Sequence, residues 1–436
     1  MAARTTRRDP GQRHIRETRP RVGLSREVIA WWFVMAYAFL EHPSSLEHDT
    51  GAYSADASST LHPEHARRIT VIERELSARG WLGFERVRTP AVDRSVLRAV
   101  HPEPYVASIE RACRPGGTFL DVDTAVSERS FEAALHAVGG AVRMVDLLLD
   151  GDVAAAFSSH RPPGHHALPS QAMGFCLFNN IAVAARYALD ARRLERVMII
   201  DWDVHHGNST NHVFHPSRQV LFVSIHQSPL FPFTGQASDV GEGEGTGFTV
   251  NLPVPAGAGD EVWVSLVEHV VVPLAYAFEP QLVLISAGYD AHRDDPLADC
   301  AVTEEGFAAM TRAITRVCAS LAAPVGAVLE GGYALGALGR SVAATLQALS
   351  TEPAPHATSS PAAALTPIAR QARTRLAEFW PQLPARPAQR HSALPPGHAI
   401  FRRAPGSTPQ PPGRPGGRSD PERAPESREP TRSRPL

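Results

Sequence analysis

Five short apolar runs, each followed at once by a polar cluster, limit the folds open to this chain. The runs are 153–157, 197–200, 220–225, 282–287 and 324–329. Each run is continuously apolar, which is the pattern of strands buried on both faces of a parallel sheet. Helical patterns lie between and around them, at about 64–79, 128–150, 180–191, 260–278, 304–322 and 334–350. The alternation predicts a layered α/β fold with a mostly parallel central sheet.

The polar clusters should meet at one edge of this sheet. They are His160-Arg-Pro-Pro-Gly-His-His-Ala167, Asp201-Trp-Asp-Val-His-His-Gly-Asn208, His226, Gly288-Tyr-Asp290 and Glu330-Gly-Gly-Tyr333. Ligands of open α/β sheets bind beyond the carboxyl ends of the strands, which is where these clusters fall. We therefore expect one functional site that is built from five loops.

Asp203 and His205 are candidate metal ligands. Side chains alternate along an extended backbone, so these two residues point to the same side. On its own the pair means little, because polar residues often cap strand ends, and Asp290 alone would more often cap its loop. Together the three residues offer one imidazole and two carboxylates, a set that suits a Zn²⁺ with a position left open for water.

Two consecutive histidines suggest acid–base chemistry. A single loop histidine is usually a surface residue, but His165 and His166 both follow a Pro-Pro-Gly turn at a strand end. Amide hydrolysis needs one proton taken from water and one delivered to the leaving amine. Each imidazole also needs a partner that fixes its tautomer, and Asp201 and Asn208 flank the metal ligands and could serve.

Three aromatic residues could complete the site. Tyr333 follows two glycines, which allow a close backbone approach, and its phenol could donate to a developing oxyanion. The alternative is a half-buried packing tyrosine. Phe175 and Phe231 could line an apolar channel, although aromatic residues beside Gly or Pro usually belong to the core.

Charge is unevenly distributed, although the net charge is only −2. Residues 1–26 contain eight Arg against two acidic residues, and 386–436 contain ten Arg against four. Each end therefore carries about +6 and the middle about −14. An acidic body argues against a core that binds nucleic acid. Both ends are predicted to be disordered, which leaves 27–385 as the folded domain, with a basic interaction arm as the alternative for the tail.

The cysteines and the length of the apolar run 28–40 indicate where in the cell the protein is expected. The four Cys, at 113, 176, 300 and 318, form no Cys-x-x-Cys pair and no disulfide framework, so we expect a cytoplasmic protein. The apolar run 28–40 is thirteen residues long, too short to cross a bilayer. No small-x-small cleavage site follows it, so we expect a buried first strand and no membrane association.

Taken together, the motifs resemble the zinc-dependent histone deacetylase superfamily. The matching segments are Arg161-Pro-Pro-Gly-His-His-Ala167, Gly174-Phe-Cys-Leu-Phe-Asn-Asn180, Asp201-x-Asp-x-His-His-Gly-Asn208, Gly288-Tyr-Asp290 and Glu330-Gly-Gly-Tyr333. They occur in the family's order and cover roughly residues 45 to 350. Asn208, where class I members have Asp, favours the bacterial, class II-like members, which include acetylpolyamine amidohydrolases. The resemblance implies an arginase-like, three-layer α/β/α fold.

The resemblance also implies bound metal ions. One Zn²⁺ per chain would be held by Asp203, His205 and Asp290. A structural K⁺ beside it would be bound largely by backbone carbonyls, at positions matching Asp201, Asp203, His205, Ser224 and Ile225. A second K⁺ would involve Phe214, Ser217, Val220 and Phe248.

The family pattern assigns the remaining roles. His166, hydrogen-bonded to Asn208, would be the general base and acid, and His165, paired with Asp201, its electrostatic partner. Tyr333 would polarise the acetyl carbonyl. The residues that match the acyl-lysine channel are Phe175, Phe231, Leu297, Gly174 and Gly332.

Some positions depart from the family pattern. Ser209 replaces a usual Gly, and Leu168 stands where an acidic residue is common in relatives. The acidic residue that anchors the substrate backbone could be Asp121 or Asp123.

The expected activity is hydrolysis of acetyl-lysine side chains or other acetylated amines. An acetylpolyamine deacetylase is the nearest alternative, but polyamine-specific relatives have a Glu seven residues after the last zinc ligand, where this chain has Leu297. An inactive acyl-lysine-binding scaffold is disfavoured by the intact ligand set, and a Mn²⁺ ureohydrolase would need more bridging carboxylates. The sequence leaves the oligomeric state open.

Overall fold

A parallel sheet of eight strands is the centre of the fold. This computed structural model describes residues 36–51, 62–351 and 363–383, all within one compact unit. The strands in these ranges are β1 Ala36–Glu41, β2 Phe84–Arg88, β3 Thr118–Phe119, β4 Ala125–Val126, β5 Val153–Ser158, β6 Val197–Asp201, β7 Val220–Gln227, β8 Thr249–Val254, β9 Leu282–Ala287 and β10 Val325–Leu329. The sheet order is β2-β1-β5-β10-β9-β6-β7-β8, and every pairing in it is parallel. Strands β3 and β4 form a separate antiparallel pair.

Helices connect the strands. They are α1 Ser44–Glu47, α2 Arg67–Ala78, α3 Arg94–Leu97, α4 Glu103–Ala112, α5 Ser130–Leu149, α6 Asn180–Asp190, α7 Asn208–Phe214, α8 Asp260–Leu266, α9 Val272–Phe278, α10 Glu304–Leu321, α11 Leu335–Leu349 and α12 Pro367–Leu376. Short 3₁₀ segments occupy Gly80–Gly83 and Gly243–Gly245, and a π-helical turn occupies Val267–Val271.

Helices cover both faces of the sheet. Side chains alternate along each strand, so β6 places Met198 and Ile200 in one apolar core and Val197 and Ile199 in the other. Helices α2 and α8 to α12 close the first core, and α4, α5 and α6 close the second. The result is the three-layer α/β/α fold with a parallel sheet that the sequence predicted.

The five strands predicted from apolar runs are all present. The last begins at Val325 rather than at the predicted residue 324, because Pro324 has no N–H to give to a ladder. The predicted first strand, 28–40, is described only from Ala36, where β1 begins. The ends 1–26 and 386–436, predicted to be disordered, lie outside the described residues, so the predicted domain limits stay a prediction.

The predicted helix 260–278 is interrupted. It consists of α8, the π-helical turn and α9, and Pro273 lies in the first turn of α9. Proline has no N–H for an intrahelical hydrogen bond, which accounts for a break near this point. By length and composition this run could cross a membrane, but half of it is buried inside the fold, where Trp263, Leu266 and Val270 belong to the core.

The sheet order brings the five polar clusters together. Strands β5, β10, β9, β6 and β7 are consecutive neighbours in the sheet, and they run in the same direction. Their carboxyl ends therefore lie side by side at one edge. In register, Asp201 at the end of β6 lies between Ser224 of β7 and Ser286 of β9.

Candidate active site

Asp203, His205 and Asp290 converge as the sequence predicted. Their potential ligand atoms all lie within 4.8 Å of one another. Nδ1 of His205 faces both carboxylates, at 3.1 Å from Asp203 Oδ1 and 3.2 Å from Asp290 Oδ2. Among the described residues this is the one group of three or more ligand side chains placed closely enough to hold a metal ion.

The surroundings of the triad fit a bound cation. Oδ1 of Asp290 accepts from the Val204 amide at 2.9 Å, whereas its buried Oδ2 has no hydrogen-bond donor of good geometry in the described chain. A buried carboxylate oxygen without a donor is costly unless a cation balances it. Gly331 leaves room for these groups, since a Cβ there would lie 2.0 Å from Asp290 Oδ2 and 2.6 Å from Asp203 Oδ2.

The two tandem histidines have the partners that the sequence predicted. Nδ1 of His165 lies 3.0 Å from Asp201 Oδ2, and Nδ1 of His166 lies 2.7 Å from Asn208 Oδ1. The two rings are adjacent, with centroids 3.9 Å apart, and the His166 centroid is 5.9 Å from that of His205. Both histidines are buried.

The pKa values of the two histidines move in opposite directions. Burial alone would lower the pKa of His165, but the carboxylates of Asp203 and Asp201 outweigh it and raise this pKa to about 10. Burial lowers the pKa of His166 well below its usual value, and the charge of His165 adds to the effect. Near neutral pH, these shifts favour a positively charged His165 and a neutral His166.

Tyr333 lies at the edge of the same pocket. Its half-buried ring contacts the Phe175 ring edge-on, with centroids 5.7 Å apart. Burial raises the pKa of the phenol well above its usual value, and the nearby charges of Asp290 and Asp203 contribute to the shift. The phenol is therefore a protonated hydrogen-bond donor close to the metal-ligand triad.

Phe231 packs against the tandem histidines, and Phe175 packs against Tyr333. The Phe231 ring lies edge-on to His166 at 5.2 Å, and the Phe175 amide donates to Thr124 Oγ1 at 3.1 Å. Gly174 makes the packing of Phe231 on His166 possible: it has a φ of +55°, and a Cβ there would lie 2.6 Å from His166 Cδ2 and 3.0 Å from the Phe231 ring. One aromatic ring thus covers the general-base candidate, and the other contacts the phenol.

The structure separates the two candidate rim carboxylates. Oδ1 of Asp121 accepts from the backbone amides of Asp123 and Thr124, so this side chain is committed to its own turn. Asp123 is half-buried, and burial together with the Asp121 charge raises its pKa to about 6. Its carbonyl oxygen lies 3.0 Å from Nε2 of His62, whose ring packs on Phe175. Asp123 Oδ1 accepts only a long hydrogen bond from Thr124 Oγ1, at 3.4 Å, so this carboxylate is less firmly engaged than that of Asp121.

A buried ionic cluster beneath Tyr333 was not predicted. The guanidinium of Arg68 lies 5.0 Å from the Tyr333 ring centroid, and its Nε donates to the Gly332 carbonyl at 2.7 Å. Glu64 pairs with Arg68 at 3.1 Å and with Arg161. Although burial opposes it, Arg161 holds the pKa of Glu64 well below its usual range. Glu64 precedes α2 and Arg68 lies in its first turn, and nothing in the sequence indicated that this pair is buried.

Two further carboxylates organise the loops. Glu330, at the end of β10, accepts from the amides of Gly164 and His165 at 2.7 and 3.2 Å, and burial raises its pKa to about 7. Asp295 accepts from the amides of Tyr333 and Leu297 at 2.7 and 3.1 Å. Neither role was predicted from the sequence, because the hydrogen bonds of Glu330 and Asp295 join segments that are far apart in the chain.

The positions matched to potassium sites are partly brought together. Asp201 and Ser224 are paired in register across β6 and β7, and Ile225 follows on β7. Ser224 Oγ lies 2.9 Å from Nδ1 of His226. Potassium binding here stays a prediction, as it does at the second set, which comprises Phe214, Ser217, Val220 and Phe248.

The fold and the loop cluster define a class of protein, an α/β amidohydrolase of the deacetylase type. A sequence model of the histone deacetylase domain matches residues 62–349. The chain therefore belongs to the histone deacetylase family, and the resemblance stated from its motifs is confirmed.

Individual relatives agree with this assignment. The chain is 38% identical over 287 residues to a probable deacetylase of Archaeoglobus fulgidus, covering 65% of this chain and 79% of that protein. It is 39% identical over 285 residues to a histone deacetylase-like amidohydrolase of Pseudomonas aeruginosa, covering 64% and 73%. Among solved structures, the crystal structure of the HDA15 HD domain matches with a TM-score of 0.72 and 32% identity, covering 80% of this chain and 96% of that one.

Proposed function

We propose that this protein is a zinc-dependent deacetylase that hydrolyses acetyl-lysine side chains. The observation that carries the proposal is the position of His166 beside the metal-ligand triad, with its ring against those of Phe231, His165 and the ligand His205. A base, a positive charge and a set of metal ligands within one buried pocket suit the hydrolysis of an amide.

Asp203, His205 and Asp290 would hold the metal ion. One imidazole and two carboxylates match the ligands of catalytic zinc sites, where a position stays open for water and substrate. A zinc ion bound there would supply Lewis acidity, which lowers the pKa of a bound water and polarises a carbonyl oxygen.

His166 would move the protons. Its Nδ1 carries hydrogen, because the Asn208 side chain offers its oxygen to Nδ1 while its nitrogen faces the Met173 sulfur at 3.6 Å. Nε2 is then free to take a proton as water attacks the acetyl carbon. The same Nε2 would return that proton to the nitrogen as the C–N bond breaks, which yields acetate and a free amine.

His165 and Tyr333 would stabilise negative charge. His165 is held as a cation by the carboxylates of Asp201 and Asp203, so it favours negative charge that develops beside it. The Tyr333 phenol stays protonated and would donate to the oxygen of the tetrahedral intermediate. Loss of one such donor costs on the order of 10²–10³ in rate.

The channel favours a long, apolar side chain over a polyamine. Phe175 and Phe231 provide apolar walls of the kind that would pack on the methylene groups of lysine, and Asp123 is available to accept from the backbone amides of a peptide. Leu297, at the position matched to the mouth, offers no charge to a second ammonium group. Each of these features supports acetyl-lysine as the substrate.

A comparison of two substrates tests this proposal. For the zinc-loaded wild type we expect kcat/KM to be higher for an acetyl-lysine peptide than for an acetylated polyamine. We expect L297E to shift the ratio toward the polyamine by about 10-fold, since a carboxylate at the mouth would attract its distal ammonium. Leu46, which is exposed, provides the control variant L46E, for which the ratio should not change. A wild type that prefers the polyamine would contradict the proposal.

A further inference from the structure

Asp295 joins two parts of the site that are distant in sequence. Its Oδ2 accepts from the amides of Tyr333 and Ala334, at 2.7 and 3.1 Å. Its Oδ1 accepts from the Leu297 amide at 3.1 Å. The residue is only 7% exposed, and its own amide donates to the His292 carbonyl at 2.9 Å. One buried carboxylate therefore fixes both the loop of the phenol and the loop of the channel mouth.

The Tyr333 loop depends on such a contact from outside. Gly332 has a φ of +120°, a region that favours glycine and gives the loop no stiffness from a side chain. Ala334 precedes helix α11 and has no side-chain acceptor of its own for the amides at the start of that helix. Asp295 supplies an acceptor and a negative charge at this place, which also suits the positive end of a helix.

The position of the Tyr333 ring is otherwise fixed by softer contacts. Arg68 lies over the ring face at 5.0 Å, and the Phe175 ring contacts its edge at 5.7 Å. Both contacts tolerate sliding of the ring by several tenths of an ångström, whereas a hydrogen bond weakens steeply when its geometry changes. Gly331 is fixed upstream, where its amide donates to Asp203 Oδ2 at 2.8 Å and its carbonyl accepts from the Tyr289 amide at 3.0 Å. Closer to the phenol, the backbone hydrogen bonds are those from the Tyr333 amide to Asp295 and from Arg68 to the Gly332 carbonyl.

We propose that Asp295 is a positioning residue for catalysis, which holds the Tyr333 phenol in its working place and couples it to Leu297 at the channel mouth. The inference rests on the proposed function, since it assigns Tyr333 the role of oxyanion donor.

The variant D295N tests the proposal. Asparagine keeps the shape but has a single acceptor oxygen, so an NH₂ group must face either Leu297 or the Tyr333 and Ala334 amides. We expect kcat on an acetyl-lysine peptide to fall by about 10- to 100-fold, since an ångström of misplacement can cost that much, with a smaller change in KM and a full complement of zinc. D294N, at the exposed neighbouring carboxylate, is the matched control and should stay within twofold of wild type.

A double-mutant cycle separates positioning from general damage. If Asp295 acts through the phenol, D295N should change the residual rate by less than about threefold when Tyr333 is already Phe. The proposal is wrong if the rate losses of D295N and Y333F multiply in the double variant, or if the rate of D295N alone stays within twofold of wild type. If D295N does not fold, D295E keeps the buried charge, moves its oxygens and must show the same non-additivity in the cycle.

Amide hydrogen exchange gives a readout without turnover. In D295A of the full chain, the Tyr333 and Ala334 amides should exchange at least about 10-fold faster than in wild type and in D294N, because alanine removes both acceptor oxygens. Unchanged exchange at these two amides would refute the tether even in an active enzyme. A wild type that does not turn over would instead remove the proposed function, and the exchange result would still decide whether the tether exists.

Discussion

His165 and His166 are adjacent in sequence but differ in electrostatic environment. His165 faces the carboxylates of Asp203 and Asp201, which outweigh burial and raise its pKa to about 10, while burial lowers the pKa of His166, whose hydrogen-bond partner Asn208 is neutral. Two titratable groups whose pKa values are pushed apart commonly divide acid and base roles between them. The two rings therefore differ in what faces them, two aspartates at His165 and an asparagine at His166.

The hydrogen-bond partner of His166 can be changed by a single substitution at residue 208. In N208D a carboxylate would accept from His166 Nδ1, stabilise the protonated ring and raise its pKa. Because the base must be neutral to act, loss of activity on acidification should begin at a higher pH. We expect the acidic limb of the kcat/KM profile to move up by roughly one pH unit or more.

The variant N208A serves as the comparison for that pH profile. It removes the acceptor without adding charge, so we expect a lower rate, by about 10-fold, and no upward movement of the acidic limb. An N208D profile that superimposes on the wild type would contradict the role of Asn208 as the partner that sets the protonation of His166.

The loops that follow the strands can approach one another closely because they contain small residues. The carboxyl ends of five neighbouring strands would crowd one another if each loop carried bulky side chains. Gly174 lets its loop approach His166 and Phe231, and Gly331 leaves space for the Asp290 and Asp203 carboxylates. The sheet thus sets the spacing of the loops, and the small residues in the loops allow the side chains of the site to meet.

Substitution of Gly174 by Ala should disturb chemistry more than folding. The new Cβ would lie 2.6 Å from His166 Cδ2, so the ring must move, and we expect kcat to fall by about 10²-fold. Gly151 is the matched control, since its φ of +75° brings a similar backbone strain but no atom lies near its added Cβ. Both variants should lose about 1 kcal/mol of unfolding free energy by urea titration, whereas G151A should keep its activity. Equal activity losses in the two variants would show that strain alone accounts for the effect.

For the whole molecule, local patterns sufficed where strands are fully buried. Strand β6 is apolar up to Asp201 at its end and was predicted, whereas β2, with the sequence Phe-Glu-Arg-Val-Arg, lies at the edge of the sheet and exposes most of its residues. Strand β8, the other edge, is mostly buried, but Thr249, Asn251 and Pro253 interrupt its apolar pattern, and it was missed as well. Polar residues and proline of this kind make edge strands hard to distinguish from loops.

The candidate site likewise has residues that were predicted from the sequence and residues that were not. His165, His166 and the metal ligands stand in compact motifs at strand ends, so their proximity followed from the order of parallel strands. Arg68 and Asp295 contact the Tyr333 loop from segments 264 and 38 residues away, as the separations of their hydrogen bonds show. Such contacts depend on loop conformation, for which a single sequence has no periodic signal.

Zinc-dependent turnover by His166 is the central claim, and acetate release at known zinc occupancy tests it most directly. Metal-free wild type and H166A are each titrated with Zn²⁺, and acetate released from an acetyl-lysine peptide is measured. We expect wild-type turnover to rise with occupancy up to one zinc per chain, and H166A to bind the same zinc but turn over at least about 10²-fold more slowly. Release of no acetate by fully loaded wild type, or turnover by H166A equal to that of wild type, would show that this claim is wrong.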